Sequence, residues 1–308
     1  VAWVCDDQSM RVLSSRTFAA LVTVFVVTTG CSDDTSDRAR PVLAAFDDGW
    51  GQVFVMNVDG TGLRQVTPTL GDDTTDTRYA NFAALSPDGT RLAYTRGGKF
   101  IEVVDLPSGA TTTVHDGGYQ PVYSPDGSSI AFVSSGSGNV KIMDADGSDV
   151  RIVAREESAS QVTFSPDGSR LIFNVAGYLV EVPVAGGESR VVLRDQFWNA
   201  DPAFSPDGSR LLFSSNRGGN NGSEIYSMPV AGGEITPLTD TYAVSPEFTA
   251  DGSRILYTRA TTESGELVTD VATSTHAELA SMNPDGSDQK RLTPRSITAQ
   301  GASVAGGK

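Results

Sequence analysis

The chain has 308 residues, with 23 lysines and arginines against 38 aspartates and glutamates, and therefore a formal net charge of −15. Such a surface repels phosphate backbones, which excludes a nucleic-acid partner. Of the two cysteines, Cys5 lies in a segment read below as removed, so Cys31 stands alone, with no disulfide and no cysteine-based metal site.

The first element in chain order is an export signal. Met10 is followed by Arg11 and Arg16, by the apolar run Phe18–Val27, and by Thr28-Thr29-Gly30-Cys31. A charged start, a short apolar core and a small-residue exit direct a chain across a membrane, and a ten-residue core falls well short of the ~20 needed to span one. The exit resembles a lipobox, which implies lipid on Cys31 and cleavage before it. Residues 1–30 are thus upstream residues and a lipoprotein signal peptide, with Met10 as initiator, and 31–40 form a polar tether. Several acyl chains on one cysteine suffice to anchor a protein to the cell envelope. Ser32 favours the outer membrane, facing the periplasm, if the cell has two membranes, and the outer surface if it has one.

From residue 41 to 308 the chain is an array. Ser-Pro-Asp-Gly recurs at Ser86–Gly89, Ser124–Gly127, Ser165–Gly168 and Ser205–Gly208, and Thr249-Ala250-Asp251-Gly252 follows on the same beat. The closing glycines fall 38 to 44 residues apart, near the roughly 40–45 of a four-stranded propeller blade. In each copy an apolar run ends at the turn, Pro presets the first turn position, Gly accepts a positive φ at the last, and a second apolar run answers. A second tight turn, at Gly60, Gly147, Gly187, Ala231-Gly232-Gly233 and Gly286, joins the third strand to the fourth. Counting both turns predicts an all-β, six-bladed propeller of four-stranded antiparallel blades. The first blade has no innermost strand before Pro41–Phe46. Gln300–Lys308 aligns with Asp201–Ser209 and predicts the missing strand, with Ala302–Val304 antiparallel to part of Pro41–Phe46, since an open ring would leave a bare sheet edge.

The stretch "PAFSPDGSRLLFSSNRGGNNGSEIYSMPVAGGEITPLT" resembles the WD-like repeat of the TolB-type propellers, and five blades from Asn81 to Thr293 fit the pattern. The resemblance implies a bacterial envelope protein whose propeller binds another protein, as TolB binds the peptidoglycan-associated lipoprotein. It implies no cofactor and no catalytic residues.

In such a blade the two Asp-Gly turns share one face, where the aspartates read as turn-formers. The other face carries the long second-to-third loops, Asn216–Ser223 and Ala260–Ala277, and the crossings between blades. Trp50 and Trp198 fall there beside Tyr79, Tyr119 and Tyr242, where they act as binding anchors or as seals between blades. A rim of carboxylates including Asp47, Asp48, Asp195 and Glu266 favours a basic protein segment or a divalent cation, although no EF-hand spacing is present. Only His115 and His276 remain in the mature chain, too few for a histidine metal cluster, and no Gly-x-Ser-x-Gly elbow occurs. Aligning the innermost strands on Phe204 predicts a ring of Phe82, Gln120, Gln161, Asp201, Ser245 and Gln300 around one opening, where a partner's terminus or loop would dock. The function expected is a non-enzymatic protein-binding platform. The alternative is a carbohydrate-binding or carbohydrate-cleaving propeller.

Overall fold

Ser-Pro-Asp-Gly folds the same way wherever it occurs. At Ser165 the hydroxyl accepts from the Arg170 N–H (3.0 Å) and donates to Asp167 (2.5 Å), while Asp167 accepts from the Ser169 N–H (3.0 Å). These bonds, the Ser165 hydroxyl foremost, pull the exposed Asp167 down to about 2. The same pattern recurs at Ser86, Ser124, Ser205 and Thr249. The aspartates on this face are turn-formers, as their spacing predicts.

In this computed structural model, residues 42–68, 79–219 and 222–305 are described, all within the contact unit Ala39–Lys308. Among them, six four-stranded antiparallel sheets form the blades. Blade two holds β4 (Ala80–Leu85), β5 (Arg91–Arg96), β6 (Phe100–Asp105) and β7 (Thr111–Asp116). Blade three holds β8 (Gly118–Tyr123), β9 (Ser129–Ser134), β10 (Val140–Asp144) and β11 (Arg151–Ala154). Blade four holds β12 (Ala159–Phe164), β13 (Arg170–Val175), β14 (Tyr178–Pro183) and β15 (Arg190–Leu193). Blade five holds β16 (Asn199–Phe204), β17 (Arg210–Ser215), β18 (Glu224–Pro229) and β19 (Thr236–Pro237). Blade six holds β20 (Ala243–Phe248), β21 (Ile255–Thr261), β22 (His276–Met282) and β23 (Lys290–Arg291).

Blade one is assembled from both ends of the chain. Its β1 (Leu43–Asp47), β2 (Val53–Asn57) and β3 (Arg64–Gln65) follow one another, and β24 (Gln300–Ala305) supplies the inner strand. Strand β24 runs antiparallel to β1 with Ala44 opposite Val304 and Ala45 opposite Ser303, the closure that the C-terminal alignment predicts. Blade one thereby has the same four strands as the others, and the apolar edge of β1 is covered.

The core is divided among the blade-to-blade contacts. Side chains alternate across each strand, so Leu92 and Tyr94 pack toward blade one while Ala93 packs toward blade three. Six buried clusters result, one per interface, and the cluster joining blade six to blade one places Leu256 and Leu279 against Ala44, Phe46 and Met56. The blade-six hairpin reaches further than its sequence suggests: Ala260 pairs with Ala277 and Thr261 with His276, so the loop shrinks from Ala260–Ala277 to residues 262–275.

Candidate functional site

Each inner strand carries a bulge two residues after it begins, and there the backbone takes a positive φ: Phe82 at 55°, Gln120 at 53°, Gln161 at 57°, Asp201 at 49° and Ser245 at 53°. A left-handed backbone at a non-glycine residue is costly and persists only where its surroundings hold it. Here the holding group is a side chain of the preceding blade. The Phe82 N–H donates to Asp47 Oδ2 (3.0 Å), Gln120 N–H to Thr95 Oγ1 (3.0 Å), and Gln161 N–H to Gln120 Oε1 (2.8 Å). Asp201 N–H donates to Gln161 Oε1 (3.2 Å), and Ser245 N–H to Asp201 Oδ2 (3.1 Å) and to Ser214 Oγ (3.3 Å). The ring closes with Gly301 N–H on Thr258 Oγ1 (3.1 Å). Every blade is thereby stitched to the next around the channel.

The stitching corrects two details of the predicted ring. The sixth place belongs to Gly301 (φ 62°), one residue beyond Gln300, because β24 pairs Gln300 with Asp47 just as β16 pairs Ala200 with Ser214. Moreover, the polar side chains do not simply point at an opening. Gln120 and Gln161 are acceptors for the next bulge, and the Asp201 carboxylate takes the Ser214 hydroxyl, the Ser245 N–H and the Gln161 amide. Burial pushes Asp201 above the usual carboxylate range in spite of these donors.

Above the ring lies a cavity of about 1000 Å³ at the loop-rich end. Trp50, Phe82, Gln120, Gln161, Asp201, Ser245 and Gln300 all line it, together with Tyr79 and Tyr242. Trp198 does not. Its ring lies over Gly177, where a Cβ would come within 3.0 Å of Cε3, and the Trp198 backbone N–H donates to Asn216 Oδ1 (2.8 Å). The ring contacts the blade-four hairpin at Gly177 and stays 54% exposed.

Trp50 is presented deliberately by its loop. Asp47 Oδ1 accepts from Gly49 N–H, and Asp48 Oδ1 accepts from the N–H groups of Trp50 and Gln52, so two successive Asx turns fix the backbone. Gly49 has a φ of 72°, which a residue with a Cβ rarely adopts, and sits against the end of the Gln300 side chain, 2.8 Å from where a Cβ would be. The indole stands 78% exposed at the mouth, and the Phe82 ring 43%. Carboxylates read as solvated rim charge are therefore structural in part: Asp47 and Asp48 are buried loop organisers, and burial lifts Asp47 to about 6. The stretch 69–78, with Asp72, Asp73 and Asp76, lies outside the described residues, as do residues 1–41 with Cys31. The two histidines stand apart, His115 tilted against the Phe132 ring and His276 beside Thr298.

One lining residue has no counterpart in the predicted site. Glu247 occupies the position that is Ala84, Val122, Thr163, Ala203 and Ser303 in the other blades. Desolvation pushes it up to about 8. A single acid in a column of small side chains is the trace that sequence alignment of the blades carries.

Comparison with known proteins agrees with this architecture. Residues 164–294 match the family model described as PD40, TolB beta propeller domain. Over that stretch the chain is TolB-like. No curated protein matches it in sequence. Among solved structures it is similar to TolB from Acinetobacter baumannii (20% identity, TM-score 0.68, covering 86% of this chain and 66% of that one). It is also similar to the putative TolB from Agrobacterium tumefaciens (18%, 0.66, covering 86% and 92%). An oligogalacturonate lyase in complex with manganese shares the fold at a greater distance (18%, 0.54, covering 79% and 70%). At these identities the TolB-like chain and the solved structures share a fold, and the chain spans 66% of the length of the Acinetobacter protein.

Proposed function

We propose that this chain is a cell-envelope propeller, held to a membrane by lipid on Cys31, that works as a non-enzymatic binding platform for another protein. The partner docks at the loop-rich mouth of the channel. The observation that carries the reading is a preformed concave site whose rim holds two exposed aromatic rings, Trp50 and Phe82, on backbone fixed by Asx turns and by the blade stitches. Rigid aromatics at the edge of a cavity supply large contact area at little ordering cost, the usual composition of a binding hot spot. The match of residues 164–294 to the TolB propeller model supports the same reading. So does the Arg11 to Cys31 pattern for the location.

The carbohydrate-cleaving alternative finds less to work with. The lyase of the same fold is complexed with manganese, whereas among the described residues no three histidine, cysteine, aspartate or glutamate side chains group as metal ligands. In-cell photo-crosslinking tests the proposal: a photoreactive phenylalanine at Trp50 or Phe82 should capture a protein that the same probe at Val150, on the outer wall, does not. Equal capture from both places would overturn it.

A further inference from the structure

The cavity wall is charged unevenly. Its ionisable groups are Asp47, Asp201, Glu247, Arg259, Tyr79 and Tyr242. The single guanidinium among them is already paired, Arg259 donating to Glu278 Oε2 at 3.1 Å. Asp47 is engaged by two N–H groups and Asp201 by three donors. Of the three carboxyls, Glu247 alone has neither a hydrogen bond nor an ion pair among the described residues.

A carboxyl withdrawn from bulk water without a partner is costly, and natural interiors avoid it unless something arrives to pair with it. The other five blades place a small side chain in this column, so nothing about the blade's geometry demands an acid. The cavity that Glu247 lines is apolar along the inner strands of blades three to five, at Pro121, Val122, Val162 and Pro202, and the aromatic rings of the mouth line it too. That arrangement suits a long cationic side chain: its methylene stem lies along the apolar wall, its charge meets the carboxylate, and aromatic faces attract it on entry.

We propose that Glu247 is the counter-charge for a lysine or arginine side chain, carried on the segment of a partner protein that enters the channel mouth. The proposal rests on the mouth being the docking surface and specifies what the mouth recognises. Desolvation of the Glu247 carboxyl agrees with it, since an arriving cation recovers what burial has withheld. The volume agrees too: about 1000 Å³ exceeds what an isolated ammonium fills and accommodates a side chain together with its backbone.

The test uses the full chain at physiological salt, titrated with penta-lysine amide, the same peptide acetylated on every ε-amine, free butylamine, and manganese or calcium ions. Wild type, Glu247→Gln and Trp50→Ala are compared. Glu247→Gln keeps the side-chain volume and removes only the acid that an arriving cation would ionise, so its fold is retained, which a melting curve checks. Penta-lysine should bind wild type about 30-fold more tightly than Glu247→Gln, while the acetylated peptide should not distinguish the two. Equal penta-lysine affinity in wild type and Glu247→Gln would overturn the assignment. Butylamine binding as tightly as the peptide and lost in Glu247→Gln would make a free amine the ligand. Binding of a divalent ion lost in the same variant, with none of the peptide, would make the site a metal site. Trp50→Ala separates this inference from the broader one: if it leaves penta-lysine binding intact while Glu247→Gln removes it, the carboxylate stands and the aromatic mouth falls.

Discussion

Glu247→Gln also makes a prediction about stability that needs no ligand. Desolvation holds the folded-state carboxyl near 8, against 4.5 for the free side chain. Between those values the folded protein keeps a proton that the unfolded chain releases, so rising pH favours unfolding, by about 1.4 kcal/mol for each pH unit in the window. Because Glu247 is only half-buried and lines an open cavity, screening trims the accumulated penalty to about 2–3 kcal/mol. Glutamine titrates in neither state. Urea unfolding of the two proteins should therefore give equal stability near pH 4 and a widening advantage for Glu247→Gln as pH rises, complete just above pH 8. Other shifted carboxyls, Asp47 and Asp167 among them, titrate identically in both proteins and cancel in the difference. A difference that is flat with pH, or that favours wild type at pH 9, would show that Glu247 is not a desolvated, unpartnered acid.

Three further outcomes follow from the same structure. Deleting Gln300–Lys308 removes β24, four ladder pairings with β1 and the packing of Ala305 and Val304; the melting temperature, followed by circular dichroism, should fall by about 10–20 °C, and an unchanged value would contradict closure. Gln161→Ala leaves the Asp201 N–H without its acceptor and should cost about 1–3 kcal/mol in chemical denaturation, with less than about 0.5 kcal/mol counting against the blade stitch. Cys31→Ser should move the protein from the membrane pellet to the soluble fraction; retention at wild-type levels would exclude lipid on Cys31 as the tether.

The architecture was legible because it is written in local chemistry. Ser-Pro-Asp-Gly specifies its turn by hydrogen bonds within six residues, and four copies and one Thr-Ala-Asp-Gly variant on one beat leave little choice of fold; even the strand exchange at the ring closure follows from the alignment of Gln300–Lys308 with Asp201–Ser209. The site was legible in position and less so in role. Phe82, Gln120, Gln161, Asp201 and Ser245 do encircle the channel, but the bulge that places them turns the backbone N–H groups toward the preceding blade, and the Gln120, Gln161 and Asp201 side chains answer that demand first. A positive φ at glutamine, phenylalanine or serine leaves no mark in composition, and the one-residue offset from Gln300 to Gly301 comes from the bulge itself. Trp198 reads like Trp50 in sequence; only the proximity of Gly177, across a blade interface, leaves its ring outside the cavity and partly covered where Trp50 stands free.

The central claim is that the loop-rich mouth is the binding surface. Once crosslinking at Phe82 has identified a partner, calorimetry of that partner with wild type, Trp50→Ala combined with Phe82→Ala, and Trp198→Ala tests the claim most directly. The account predicts a loss of about 30-fold or more for the double variant and a change within about twofold for Trp198→Ala, which sits outside the cavity. Undiminished affinity in the double variant, or a loss confined to Trp198→Ala, would contradict it.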